Sequence, residues 1–177
     1  NATTVGWTYD GPGNRSTVTL GGSTFNSYGY DVTSRLTGIT HGALAFGFGY
    51  DTPSRRTSMT YPNGITTTYS YDAESRLTQI NAKLGATDIT KFDYGYDVVG
   101  NRTYKNTLEF NENYGYDALD RLTTAVRPTP TPAASPTPTP GPSWLWTYDK
   151  VGNRLVDQKA DASGVAASLS SYNATNQ

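Results

Sequence analysis

The dipeptide Tyr-Asp returns seven times in 177 residues, at Tyr9-Asp10, Tyr30-Asp31, Tyr50-Asp51, Tyr71-Asp72, Tyr96-Asp97, Tyr116-Asp117 and Tyr148-Asp149. Successive steps are 21, 20, 21, 25, 20 and 32 residues. Such a period makes each unit one supersecondary element that must stack on its neighbours to be stable. The context repeats as well. An aromatic residue stands two places before every motif Tyr: Trp7, Tyr28, Phe48, Tyr69, Tyr94, Tyr114 and Trp146. A basic residue follows every motif: Arg15, Arg35, Arg55, Arg76, Arg102, Arg121 and Arg154. Four of these lie four residues after the Asp. Arg15, Arg102 and Arg154 lie five after it and are preceded by Gly-Asn.

The unit reads as a hairpin. Aromatic-x-Tyr has period two, so both rings point to one face of a strand. Asp ends that strand because its carboxylate accepts N–H bonds from the coming turn. Three or four turn residues are expected, the Gly-Asn copies gaining one position that tolerates positive φ. Arg then opens a return strand, as in Arg35-Leu36-Thr37-Gly38-Ile39, where Thr and branched residues suit an extended chain. Asp and Arg flank the turn, so a cross-turn ion pair is expected in each copy. The fold class that follows is all-β: tandem antiparallel hairpins forming a continuous, curved or spiralling sheet. Composition agrees. The chain has 14 Tyr against 5 Phe and 1 Met, and Tyr suits thin, half-wet layers.

Tyr71-Asp72-Ala73-Glu74-Ser75-Arg76-Leu77-Thr78 and Tyr96-Asp97-Val98-Val99-Gly100-Asn101-Arg102-Thr103 carry a resemblance. The pattern resembles the YD repeats of Rhs proteins, toxin-complex C subunits, wall-associated repeat proteins and teneurins. It covers nearly the whole chain apart from a Pro/Thr tract. The resemblance implies a single-layer sheet that spirals into a hollow shell, often around a toxin domain. The family's core region, which closes the shell, and a toxin domain are not among these residues.

The organisation expected is therefore an array of six units over 1–127, a Pro/Thr-rich polyproline II insertion over 128–142, and a continuation over 143–177. The continuation holds a seventh unit and a degenerate eighth at Tyr172-Asn173. Pro cannot donate to a sheet ladder, so the tract is an excursion from an unbroken hairpin register. Alternating Thr and Pro resembles an O-glycosylated stalk, with Thr129, Thr131, Ser135, Thr137 and Thr139 as its hydroxyls. Asn1 and Asn173 stand in N-glycosylation sequons. Asn14 and Asn101 do too, but have a turn to serve.

Several function classes are excluded or disfavoured. The net charge is −1, with no basic surplus to neutralise a phosphate backbone. No Cys exists for a disulfide, thiol nucleophile or thiolate metal site. His41 is the sole His, and no nucleophile elbow, phosphate loop or zinc spacing accompanies it. Seven acids belong to the repeat, and the rest share no pattern. No catalytic, cofactor or metal site is expected.

The first expectation is a non-enzymatic scaffold of a secreted or cell-surface assembly: a fibre, appendage or wall-associated layer. The chain starts at Asn1 and ends inside a unit, so it reads as a processed product or fragment with open strand edges. Its partners would be further copies or adjoining repeats of a longer chain, associating edge to edge. The alternatives are a fragment of an Rhs-type toxin-encapsulating shell, and a module binding glycans through aromatic ladders that include Trp7 and Trp146.

Overall fold

The computed structural model describes residues 4–127, 141–161 and 164–169. The chain forms two compact units, Asn1–Thr90 and Lys91–Gln177. The first contains β1 (Val5–Tyr9), β2 (Arg15–Leu20), β3 (Ser23–Tyr30), β4 (Leu36–His41), β5 (Leu44–Tyr50), β6 (Arg56–Thr60), β7 (Ile65–Tyr71) and β8 (Leu77–Leu84). Strand β9 (Thr87–Tyr96) leads the chain into the second unit. There follow β10 (Arg102–Thr107), β11 (Asn111–Tyr116), β12 (Leu122–Val126), β13 (Ser143–Tyr148), β14 (Arg154–Asp161) and β15 (Gly164–Leu169). From β1 to β8, and again from β9 to β15, each strand pairs antiparallel with the next in the chain. The described residues contain no helix. The expected all-β tandem-hairpin architecture is the one the chain adopts.

Period-two alternation sorts the side chains by chemistry. In the first unit Tyr28 faces Ile39, Ile39 faces Phe46, and Phe48 faces Met59. These rings and aliphatic chains share one face. The residues between them pair as Gly29 with Gly38, Gly38 with Gly47, Gly49 with Ser58 and Ser58 with Thr68. The second face is therefore built of Gly, Ser and Thr. The residue between the two rings is Gly in four motifs, and at Gly95 it has a steric reason. At Gly95 a Cβ would collide with the ring of Tyr104 on the neighbouring strand.

The layer is thin. Among the described residues only Ala82 and Ala125 are buried apolar side chains, and no large side chain is fully buried. Rings meet on the sheet surface both edgewise, as Phe46 with Tyr61 at 6.2 Å between centroids, and stacked, as Phe92 with Tyr94 at 6.4 Å. This is the half-wet use of aromatic area that a Tyr-rich composition suits.

The Pro/Thr tract, residues 128–140, lies outside the described residues. So do its five hydroxyl residues, Asn1, Asn173 and the degenerate Tyr172-Asn173 copy. The strands that flank the tract do pair: Thr124 with Leu145, Ala125 with Trp144 and Val126 with Ser143. Arg127 N–H donates to the Pro142 carbonyl at 2.9 Å and closes the root of the insertion.

Candidate functional site

The seven Tyr-Asp motifs build seven turns of one geometry. In each, the Asp N–H donates to the carbonyl four residues on at 2.8–3.0 Å. The N–H three residues on donates back to the Asp carbonyl at 3.0–3.2 Å. The carboxylate completes the lock. One oxygen accepts the backbone N–H at the fourth place: Asn14, Arg35, Arg55, Arg76, Asn101, Arg121 and Asn153. The other oxygen accepts from that residue's side chain.

This corrects two expectations. The Gly-Asn copies do not have a longer turn. The fourth place holds Arg in four copies and Asn in three, and the fifth place opens the return strand in all. Ion pairs across the turn therefore form at Asp31–Arg35 (2.6 Å), Asp51–Arg55, Asp72–Arg76 and Asp117–Arg121 (each 2.7 Å). In the other three, Asn Nδ2 takes the role, at 3.1 Å to Asp10, 3.1 Å to Asp97 and 2.7 Å to Asp149. Arg15, Arg102 and Arg154 sit one place later, opposite Tyr9, Tyr96 and Tyr148. On that face a guanidinium meets rings or a different acid. Arg102 lies 4.8 Å from the Tyr94 centroid, and Arg154 pairs with Asp157 at 3.5 Å.

The positive-φ residue is likewise common to all copies, not an addition to three. It is the third place: Gly13, Ser34, Ser54, Ser75, Gly100, Asp120 and Gly152. Just beyond each turn the return strand carries one extra residue. Tyr30 pairs with Leu36 but Gly29 pairs with Gly38, leaving Thr37 as a bulge. Ser16, Thr57, Thr78, Thr103, Thr123 and Leu155 occupy the same place. Sequence reasoning took this Thr as an ordinary strand former. Its recurrence after Arg-Leu was the available signal for a conserved local bend.

The motif Tyr binds backward to the preceding repeat. Tyr50 OH donates to Leu36 O (3.0 Å), Tyr71 OH to Arg56 O (2.9 Å), Tyr116 OH to Arg102 O (2.9 Å) and Tyr148 OH to Leu122 O (2.7 Å). The Arg of the preceding repeat lies over the same ring: Arg35 over Tyr50 at 5.1 Å, Arg55 over Tyr71 and Arg121 over Tyr148 at 4.6 Å. Each contact joins adjacent repeats within one unit.

Electrostatics follow the hydrogen bonding. Desolvation opposes ionisation of Asp31, Asp51, Asp72, Asp97, Asp117 and Asp149, but the bonds they accept outweigh it. Thr33 and Arg35 hold Asp31 well below the ordinary carboxylate value. Arg55, Arg76 and Arg121 act likewise on Asp51, Asp72 and Asp117, and the Asn101 and Asn153 N–H groups on Asp97 and Asp149.

A second cluster was not legible in the pattern. Glu112 is 7% exposed on the aromatic face of the second unit. Its carboxylate meets Lys105 Nζ at 3.1 Å, Arg127 Nη2 at 3.5 Å and the Tyr114 hydroxyl at 2.9 Å. Burial would raise its pKa, yet the Tyr114 bond and the Lys105 and Arg127 charges bring it below the ordinary glutamate value. The same burial, with the carboxylate beside it, pushes Tyr114 up to about 12. Arg127 stacks on Phe110 at 3.7 Å. The cluster therefore clamps the first residue before the insertion.

His41 Nδ1 lies 2.9 Å from both Phe25 O and Asn26 Oδ1, with its ring edge-on to Phe25 at 4.6 Å. Among the described residues no three His, Asp or Glu side chains converge as a metal set. No helix is long and apolar enough to cross a membrane. Trp7 is 54% exposed, whereas Trp146 is half-buried.

Comparison with known proteins bears on the same repeats. Residues 48–87 match the family described as RHS Repeat. Among solved structures, the chain is similar to one in the crystal structure of TcdB2-TccC3-Cdc42, at 21% identity and TM-score 0.73, over 97% of this chain and 10% of that one. It is also similar to a chain of the Photorhabdus luminescens Tc holotoxin pore, at 20% identity and TM-score 0.71, over 94% and 9%. The chain thus spans about a tenth of the length of these structures. No curated protein matches it. The matched stretch holds the third and fourth motifs, and their turn recurs in all seven. Residues 48–87 are thus similar to Rhs-family YD repeats, and the remaining motifs share their turn.

Proposed function

We propose that these repeats form a non-enzymatic wall segment of a larger hollow assembly of the Rhs type, outside the cell that makes it. The observation that carries this reading is a two-faced sheet in which, among the described residues, no large side chain is fully buried. Such a layer does not bury enough to behave as a compact catalytic domain, but it suits a partition. The similarity over a tenth of much longer chains supports a segment reading. Enclosure of a toxin belongs to this proposal through the family resemblance alone.

A fibre or appendage built by edge-to-edge association uses the same scaffold. Exposed apolar residues on the first unit's strands, such as Phe25 and Leu44, favour that second reading. Electron microscopy of the native material separates them. Hollow particles are the expected result. Filaments would hand the case to the fibre, and solid globules with hydrolytic activity sensitive to His41 substitution would sink both. The glycan-binding reading rests on the exposed Trp7 and would require binding that Trp7→Ala abolishes.

A further inference from the structure

The motif Asp locks its own turn, but the residue at the fourth place also reaches out of it. In Arg repeats the reach is long. Arg35 Nη1 donates to Asp51 O at 2.8 Å and Ser54 Oγ at 3.2 Å. Arg55 Nη1 donates to Asp72 O at 3.3 Å and Ser75 Oγ at 3.0 Å. Arg121 Nη1 donates to Asp149 O at 2.9 Å, where the third place of the following turn is Gly152 and offers no side chain. Asn is too short to reach that carbonyl. Asn14 Nδ2 contacts the next repeat at Ser34 Oγ (3.0 Å), and Asn101 Nδ2 at Asp120 Oδ1 (2.8 Å). These forward contacts end on side chains alone.

We propose that the fourth place of one turn and the third place of the next form a repeat-to-repeat recognition pair. It makes each turn an interaction surface whose partner is the following YD repeat. An Arg repeat accepts any follower, because it reads a backbone carbonyl and a Tyr ring that every repeat supplies. A Gly-Asn repeat accepts only a follower with a hydrogen-bond acceptor side chain at its third place.

Two independent features agree. The order of repeats obeys the rule: the Gly-Asn turns are the first, fifth and seventh, never adjacent. The turns with Gly at the third place that have a predecessor, at Gly100 and Gly152, both follow Arg repeats, those of Arg76 and Arg121. Backbone strain points the same way. Ser34, Ser54, Ser75 and Asp120 hold φ of 63°, 69°, 66° and 58°, a region where Gly is preferred. All four accept a side-chain bond from the preceding repeat, which gives a reason to keep a strained residue there. The rule holds whether the array closes into a shell or runs into a fibre.

The test is amide hydrogen exchange on the full chain, comparing Ser34→Ala with Ser54→Ala. Both keep a Cβ at positive φ and both lose one hydroxyl, so strain cancels in the comparison. Exchange is read in the unmutated preceding turn. With Ser34→Ala, the amides of the Asp10–Asn14 turn should exchange about fivefold faster, the loss of one net hydrogen bond. With Ser54→Ala, those of the Asp31–Arg35 turn should change less than about twofold, because Arg35 keeps Asp51 O and the Tyr50 ring. Ser34→Asp, copying Asp120, should restore protection, and Asp120→Ala should loosen the Asp97–Asn101 turn as Ser34→Ala does the first. Equal acceleration at the two Ser sites, or no protection regained with Ser34→Asp, overturns the proposal.

Discussion

Every second hairpin turn in this chain carries the Tyr-Asp motif, and the turns between them do not. The contrast is instructive. The motif turns share one hydrogen-bond scheme, one positive-φ position and one bulge. The intervening turns are mixed: three place a positive-φ Gly directly after a strand (Gly21, Gly42 and Gly85), and the others differ. Gly21-Gly22 joins β2 to β3, and Gly42 serves β4 to β5. Thr107 and Phe110 close β10 to β11, and the 127–142 tract stands between β12 and β13. The turn from Tyr61 to Ile65 even copies the motif's backbone bonds, with Asn63 Oδ1 capping Ile65 N–H at 3.2 Å. It has no carboxylate, and nothing reaches from it to another repeat by that route. The lesson is that inter-repeat bonding, rather than turn closure, fixes the motif. Turns that only close a hairpin are free to vary, and one of them hosts the long insertion.

The strongest way to break this contrast is insertion. Five Gly/Ser residues placed between Gly42 and Ala43 should leave the fold cooperative, since loop closure costs little more as loops lengthen. The same five placed between Thr52 and Pro53 should remove cooperative unfolding around β5 and β6, as seen by circular dichroism melts. Equal tolerance would end the distinction. Acid offers a gentler probe. The pKa values of Asp31, Asp51, Asp72, Asp97, Asp117 and Asp149 are lowered in the folded state, so their contribution is present above the unfolded value of about 3.9 and is lost as pH falls through the folded values. Between pH 4 and 2, exchange at the Asp31 and Asp51 turns should accelerate more than at Gly21-Gly22 and Gly42. The smallest effect should come from Tyr148→Phe, which removes the bond to Leu122 O and lowers stability by about 1 kcal/mol in denaturant titration. Phe at Tyr61, which donates no such bond among the described residues, should be nearer neutral.

Much of this was legible beforehand, for identifiable reasons. Aromatic-x-Tyr has only one reading in a strand, so the shared face of Phe48 and Tyr50 was fixed by period alone. The terminating role of Asp followed from its carboxylate. What misled was the Arg. Counting Arg15 and Arg35 as one position hid the fact that Asn14 and Arg35 are the equivalents, because a guanidinium is conspicuous and a short amide is not. The hydrogen-bond equivalents keep one spacing, four residues after the Asp in all seven copies, whereas the positive charge shifts between four and five. Glu112 was invisible for another reason: its partners Lys105 and Arg127 come from neighbouring strands, and no local pattern foretells that burial.

The sequential strand pairing within each unit has a consequence for how such a protein is made and how it changes. Every pairing named above links segments adjacent in the chain, so no stretch waits for a distant one to be synthesised. Chains of this topology can fold as they leave the ribosome, with little delay from long loop searches. They can also lengthen by duplication of some twenty residues without redesign elsewhere. Growth of the gene and growth of the structure become the same event.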